Sequence, residues 1–503
     1  MSFTSLTFIF VFLPLAYMAF VLAHRFGGAT QAINALAVIS LVFYALFGMQ
    51  LLLVLLLSMV FNFAVGNVVS NLGEQPRIAK NLLLGSIVAN LGLLGYLKYT
   101  NFFIDVTNQV AGTSYSHFDI AVPLGVSFFT FVQIGYLIDA FNGQLVKHNF
   151  ARYIVFTAFF PCVTAGPLVM QREMMEQLAN TKIKAFDVRR VTIGLTMFAM
   201  GLFKKVVLAD SIAPFADSVF AGAHNDVALT AATAWIGALS YTLQLYFDFS
   251  GYSDMAIGLA TIFAIKLPLN FDSPFKATNI SDFWRRWHMT MTRFFTAYLY
   301  SGMAMYGMRK GMGWHLGRVG RFVLVAALPS IFTFMIAGVW HGSGWTYVIY
   351  GVWHGIAIAT FLGWREFSGI TLPSPVAWFM TMLAVVCGLV MFRAADVDTA
   401  LHLLGRMSLL ADEPTGTATL TIDSAQALSM IVIFGAITLL LPNTQQILHH
   451  EWPVVDSKPE ETVAAAGLVA WRPGFGTAII TACIFTIGIT SIGSSSGFLY
   501  YKF

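Results

Sequence analysis

Charge is what this sequence has least of. Lys, Arg, Asp and Glu make up 10% of its 503 residues, while 57% are hydrophobic. Soluble domains are about a quarter charged. No large soluble domain is therefore hidden here, and the composition is that of a polytopic membrane protein. The formal net charge of +4 fits basic loops on one membrane face. It does not suggest a nucleic-acid partner, because no basic cluster is interleaved with base-stacking aromatics. Cysteine is nearly missing. Cys162, Cys387 and Cys483 are odd in number, lie in apolar segments and lack metal-ligand spacing, so they read as packing residues. There is no P-loop and no His-Glu-x-x-His helix, which removes the sequence support for an ATP-driven pump or a metal site of that kind. No internal repeat is found, which counts against a secondary transporter. The segment Met1–Ser5 has no basic residue, so residues 6–23 read as a first span rather than a cleaved signal.

What is abundant is apolar runs near 20 residues, the length a helix needs to cross a bilayer. Candidate spans are 5–24, 31–49, 50–69, 82–104, 121–142, 191–209, 229–249, 320–339, 343–363, 375–392, 427–442 and 476–493. The stretch 151–170 is also apolar but contains Pro161, Gly166 and Pro167. The expectation is ten to twelve crossings with one or two broken or re-entrant segments. Basic loops set orientation. The loop 71–81 carries Arg77 and Lys80, 171–190 carries Arg172, Lys182, Lys184, Arg189 and Arg190, and 276–293 carries Lys276, Arg285, Arg286 and Arg293. The stretches 105–120 and 210–228 have acids but no Lys or Arg. Placing the basic loops in the cytoplasm requires 151–170 to enter and leave on one side, which its prolines suit. The N-terminus then lies outside. Between 270 and 321 aromatics mix with bases, as at a membrane–water boundary. An amphipathic helix is expected there at or just under the cytoplasmic face, begun by Ser281 or Asp282. The polar tract 444–475 reads as a loop with some helix.

Two Trp-His-Gly triplets, Trp340-His341-Gly342 and Trp353-His354-Gly355, sit in apolar sequence. Ionisable groups at membrane depth persist mainly where they line a cavity or do chemistry. Histidine changes charge near neutral pH, which suits a general base. For His341 the bland alternative is a core histidine bonded to a neighbouring helix, but Gly342 and Gly344 permit close approach of a ligand. His354 lies 13 residues on, about 220° around a continuous helix and roughly 20 Å along it, so a two-histidine metal site is not expected and His354 reads as supporting. His288 ends Asp282-Phe283-Trp284-Arg285-Arg286-Trp287-His288. Arg285 and Arg286 could hold donor phosphates or form a lipid-headgroup belt. Asp248, Ser250, Tyr252 and Asp254 close an apolar span and suggest a buried hydrogen-bond network or a pore lining.

Several of these runs resemble the membrane-bound O-acyltransferase (MBOAT) family, in its bacterial branch that works on alginate and teichoic acids. They are Gly201-Leu202-Phe203-Lys204-Lys205-Val206-Val207-Leu208-Ala209-Asp210, Tyr246-Phe247-Asp248-Phe249-Ser250-Gly251-Tyr252-Ser253-Asp254, Asn270-Phe271-Asp272-Ser273-Pro274-Phe275, the 282–288 run and Gly338-Val339-Trp340-His341-Gly342. They occur in order between about 120 and 365. The resemblance implies an all-α fold, a ring of about 11 transmembrane helices with re-entrant segments around a central funnel or tunnel. It divides the single membrane domain into N-terminal helices (1–119), a motif-bearing core (120–365) and C-terminal helices (366–503). The family's invariant histidine falls on His341 and its second, more variable polar position on His288. Where alginate-acetylating relatives usually have Arg-Asp-Tyr-Leu-Tyr and then Ile-Pro-Leu-Gly-Gly, this chain has Phe295-Thr296-Ala297-Tyr298-Leu299-Tyr300-Ser301-Gly302-Met303-Ala304-Met305, so the acceptor stays open.

The expected activity is transfer of an acyl group, acetyl first among candidates, from acetyl-CoA or another cytoplasmic thioester to hydroxyls of an extracytoplasmic polysaccharide. No permanently bound cofactor or metal is expected. His341 would act as general base, His288, Arg285 and Arg286 would line the donor mouth, and Trp340, His354, Asp248, Ser250, Tyr252 and Asp254 would shape the cavity. Expected partners are a periplasmic acetyl-transfer protein and polysaccharide synthesis or secretion machinery, in the bacterial inner membrane. Two alternatives are an exporter of a glycan or lipid, using Asp139, Asp248 and Asp254 as coupling sites, and an acyltransferase acting on lipid, peptidoglycan or protein.

Overall fold

The computed structural model describes residues 1–73, 75–146, 148–180, 184–408, 420–451, 453–455, 470–494 and 497–499. Lys182 and, within the 444–475 tract, residues 452 and 456–469 lie outside the described residues; the described part includes one short helix, Thr444–Ile447. The described chain is helical, with two isolated β-bridges.

Among the described residues, seven helices are long and apolar enough to cross a membrane: Phe8–Ala45, Met49–Asn71, Pro76–Ala111, Val188–His224, Arg318–His341, Trp345–Phe367 and Ser374–Arg393. The shorter apolar helices Val126–Phe141, Ser424–Leu440 and Phe475–Thr490 stand beside them. This is a multi-pass membrane protein. Large apolar side chains such as Leu53, Leu57, Phe103, Val432 and Ile480 are exposed on its outer helices, which is the arrangement a hydrocarbon solvent favours. The two N-terminal spans expected from the sequence form one helical run that breaks at Gly28, where φ is 70°.

The central post is Ala231–Ile262, 32 residues long and buried from Tyr241 to Ile262. Thr230 starts it by accepting a hydrogen bond from the Thr233 amide, satisfying one of the orphan donors of a first turn. The expected span 229–249 is thus the first half of a longer element. Polar side chains tie the N-terminal helices together at depth. Asn62 donates to Gln133 Oε1 (2.7 Å) and Asn90 Oδ1 (3.0 Å), and Asn90 donates back to Asn62 (2.8 Å).

The proline-containing stretch folds back on itself. Phe150–Ala158 is helical, capped by Asn149, and the chain then turns through 159–166 before Gln171–Ala179 begins. Entry and exit meet: Gln171 Nε2 donates to the Val146 carbonyl (3.0 Å), and the Val146 amide donates to Gln171 Oε1 (3.3 Å).

The 270–321 region departs from the expected single amphipathic helix. Asn279, not Ser281 or Asp282, is the N-cap, because its extended backbone aims Oδ1 at the Asp282 amide (2.8 Å). The helix spans only Ile280–Arg286, the chain reverses at His288 (φ 46°), and Met289–Phe295 follows. Phe283, Trp284, Trp287 and His288 are buried. The aromatics of 283–287 thus pack into protein, whereas Tyr306 and Trp314 further along are exposed.

Candidate active site

The two Trp-His-Gly triplets lie on an antiparallel helical pair. Leu328–His341 ends on the first histidine, Gly342 to Gly344 turn the chain, and Trp345–Phe367 carries the second. Glycines set the spacing of the pair. A Cβ on Gly338 would meet the Tyr347 carbonyl, and one on Gly351 would meet the Phe334 carbonyl. Only a residue without a side chain permits that approach.

His341 lines a cavity of about 410 Å³ together with Lys98, Ser127, Phe128, Thr164, Trp340, Ser343 and Tyr347. Its ring packs edge-on against Phe392, with centroids 5.1 Å apart, and against the neighbouring Trp340 at 4.8 Å. His288 stands 6.3 Å away, centroid to centroid. The two rings are neighbours, but His288 is buried and lines neither this cavity nor the next. The left-handed backbone at His288 directs its Nδ1 to Asn270 Oδ1 (3.0 Å). The same oxygen accepts from Thr290 Oγ1 (3.0 Å), while Asn270 Nδ2 donates to Ser253 Oγ (3.1 Å). An amide oxygen only accepts, so Nδ1 carries the proton and Nε2 is the accepting nitrogen.

A second cavity, about 270 Å³, is lined by Ser281, Trp284, Arg285, Met291, Phe295 and Ala337, among others. Phe295 on its wall and Trp340 on the wall of the first cavity are 6.3 Å apart, ring to ring. Trp340 also lies 6.0 Å from His288. The partition between the cavities is therefore about one pair of aromatic rings thick, and both histidines stand at its edge.

The other sequence-selected residues separate into distinct roles. Arg285 is exposed and lines the second cavity. Arg286 is held by Asp282 (3.0 Å), so the two arginines are not equivalent. Tyr252 reaches the first cavity through Thr164, at 2.5 Å. Asp248, Ser250 and Asp254 line neither cavity. Asp248 pairs with Lys205 (2.8 Å) and accepts from the Leu499 amide (3.1 Å). Asp254 pairs with Lys204 (2.6 Å) and accepts from Thr444 (2.7 Å) and Gln445 (2.9 Å). These carboxylates hold helices together, with Lys204 and Lys205 in a π-helical turn, Lys204–Ala209. Asp139 accepts from Tyr298 at 3.0 Å. His354 accepts from Trp284 Nε1 (3.3 Å) and packs against Gly388, a supporting position behind the second cavity. Among the described residues no group of three His, Cys, Asp or Glu side chains could hold a metal.

Sequence reasoning passed over Lys98, Tyr99, Ser127 and Thr164, and gave Asn270, which opens one of the family-like runs, no role of its own. Lys98 had a signal, as the one charge within the 82–104 span. Thr164 and Ser127 had none, since a lone hydroxyl in an apolar run is ordinary.

Residues 126–395 match the family model of the membrane-bound O-acyltransferases. A peptidoglycan O-acetyltransferase of Helicobacter pylori is 37% identical over 431 residues, covering 80% of this chain and 78% of its own. A probable alginate O-acetylase of Pseudomonas putida is 32% identical over 523 residues, covering 100% of both chains. A teichoic acid D-alanyltransferase of Bacillus subtilis is 31% identical over 227 residues, covering 44% of this chain and 53% of its own.

Proposed function

The chain belongs to the membrane-bound O-acyltransferase family and is an O-acyltransferase, and we propose that it moves acetyl groups from acetyl-CoA on the cytoplasmic side to hydroxyls of an extracytoplasmic polysaccharide, alginate-like or cellulose-like. The observation that carries this reading is the thin partition. Trp340 on the wall of one cavity and Phe295 on the wall of the other lie 6.3 Å apart, ring to ring, with His341 on the first wall and His288 beside Trp340. Donor and acceptor can thus be presented from opposite sides without either crossing. Holding both reactants in place removes much of the entropic barrier.

The chemistry follows from the side chains. His341 takes the hydroxyl proton as the acceptor oxygen attacks the thioester carbonyl. The tetrahedral intermediate then collapses, the C–S bond breaks, and the imidazolium returns the proton to the leaving CoA sulfur. Arg285, exposed beside the second cavity, suits the donor's phosphates. His288, with Nδ1–H fixed on Asn270, presents Nε2 to the reacting group. The first cavity, about 410 Å³, suits a single sugar or the tip of a partner loop better than a polymer strand, which supports relay from this chain in the inner membrane to a periplasmic acetyl-transfer protein. The names of the relatives support acetyl as the group and a cell-surface polymer as the destination. The exporter alternative is not favoured. The carboxylates it would use for coupling, Asp248 and Asp254, are in ion pairs, and Asp139 is held by Tyr298.

The test is ester-linked acetate on purified surface polysaccharide from three strains: a deletion, the deletion with wild type restored, and the deletion with His341→Ala restored at matched membrane abundance. Loss in the first and third with rescue in the second is expected. Removing a general base typically lowers rate by about 10²–10⁴-fold. Unchanged acetate in all three would overturn the reading.

A further inference from the structure

The helix that carries His341 ends without a cap of its own. The last four carbonyls of a helix have no intrahelical partner. Here Gly342 is extended (φ −163°, ψ 162°), and among the described residues no amide of the following turn closes on that end. The carbonyls are taken by another helix. Tyr99 Oη donates to the Val339 carbonyl (2.5 Å), and Lys98 Nζ donates to the carbonyls of Trp340 (2.9 Å) and His341 (3.0 Å). Residues 98 and 99 close a π-helical turn, Gly95–Tyr99, a winding that occurs frequently at functional sites, and their long side chains reach successive carbonyls of that one helix end.

The ammonium has three donors. Two go to the Trp340 and His341 carbonyls and the third to Ser127 Oγ (3.3 Å). None remains for a substrate, although Lys98 lines the cavity. A cation on helix C-terminal carbonyls also complements the negative end of the helix dipole. We propose that Lys98, assisted by Tyr99, is a positioning residue for acyl transfer: it fixes the end of the helix that bears His341 and so seats the imidazole against the partition. This rests on the reading of His341 given above.

The test uses inverted membrane vesicles from cells that make the polymer, with the whole chain in its native membrane and labelled acetyl-CoA as the probe. Label in polymer ester is followed against acetyl-CoA concentration. Lys98→Met is expected to lower the saturating rate at least tenfold, with the apparent KM for acetyl-CoA within twofold of wild type. Lys98→Arg, which keeps charge and donors, should recover at least a third of wild-type rate, and Tyr99→Phe should lose about threefold. A Lys98→Met saturating rate within twofold of wild type would overturn the proposal. So would a raised KM at unchanged saturating rate, which would make Lys98 a donor-binding group. If Lys98→Met does not accumulate, Ser127→Ala takes its place: a lowered saturating rate with the KM for acetyl-CoA within twofold of wild type is expected, and an unchanged saturating rate would overturn the proposal. Wild-type vesicles that incorporate no label would instead overturn the proposed function itself. Labelled wild type, inactive His341→Ala and fully active Lys98→Met would overturn this inference alone.

Discussion

At the scale of single residues, the site depends on partners that sequence does not advertise. His341 was legible because a histidine in an uncharged stretch needs a reason to be there. Its surroundings were not. Asn270 lies 18 residues from His288 along the chain, and nothing in spacing marks an asparagine as the acceptor that sets a histidine tautomer. Asn270→Ala leaves the His288 and Thr290 donors without that oxygen, at a cost of about 1–3 kcal/mol for a buried unsatisfied group. Polymer acetylation in this variant, at matched abundance, is expected to fall about tenfold, the equivalent of ~1.4 kcal/mol in the barrier. Unchanged ester content would mean that the Nδ1 contact has no part in the reaction. The arginine pair shows the same limit. Arg285 and Arg286 are identical in type and adjacent in sequence, yet the i,i+4 carboxylate Asp282 engages Arg286, while Arg285 is exposed at the second cavity.

At the scale of elements, apolar length located the helices well, since the hydrocarbon thickness imposes it. Boundaries and winding were less legible. The 229–249 span extends to Ile262 because its second half is buried in protein rather than lipid, which a hydropathy window does not register. The π-helical turns at Gly95–Tyr99 and Lys204–Ala209 leave no sequence signature. The second of these places Lys205 between Asp210 (2.7 Å) and Asp248 (2.8 Å), all three buried. Lys205→Met would leave two buried carboxylates without their cation, and breaking such a buried pair costs about 3–5 kcal/mol. Lys204→Met should cost less, because that side chain is 17% exposed and Asp254 keeps the Thr444 and Gln445 hydrogen bonds. The check is the thermal midpoint of detergent-extracted protein. Lys205→Met should fall clearly below Lys204→Met, and the reverse order would show that the triad is not the stronger tether.

At the scale of the molecule, the sidedness of the reaction rests on the basic loops. In a background with Cys162, Cys387 and Cys483 replaced, Asp226→Cys should react with a membrane-impermeant maleimide applied to intact spheroplasts, and Arg77→Cys should react only after permeabilisation. The opposite pattern would invert the proposed direction of transfer. The re-entrant 151–170 segment was inferred from this same charge pattern, and hydrogen bonds between Val146 and Gln171 join its two ends. The thin wall between the cavities carries one more consequence. In the proposed reaction an acceptor hydroxyl on one face gives up a proton and receives an acetyl group, while the thioester on the other face gives up acetyl and receives the proton. Both faces begin and end with the same charge. The exchange is electrically silent, so a membrane potential, which does about 2.3 kcal/mol of work on each elementary charge per 100 mV, neither drives nor opposes it. The equilibrium position is then set by the free-energy difference between thioester and oxygen ester at the prevailing ratio of acetyl-CoA to CoA, and at a fixed ratio de-energised membranes hold the same balance of esterified and free hydroxyls as energised ones.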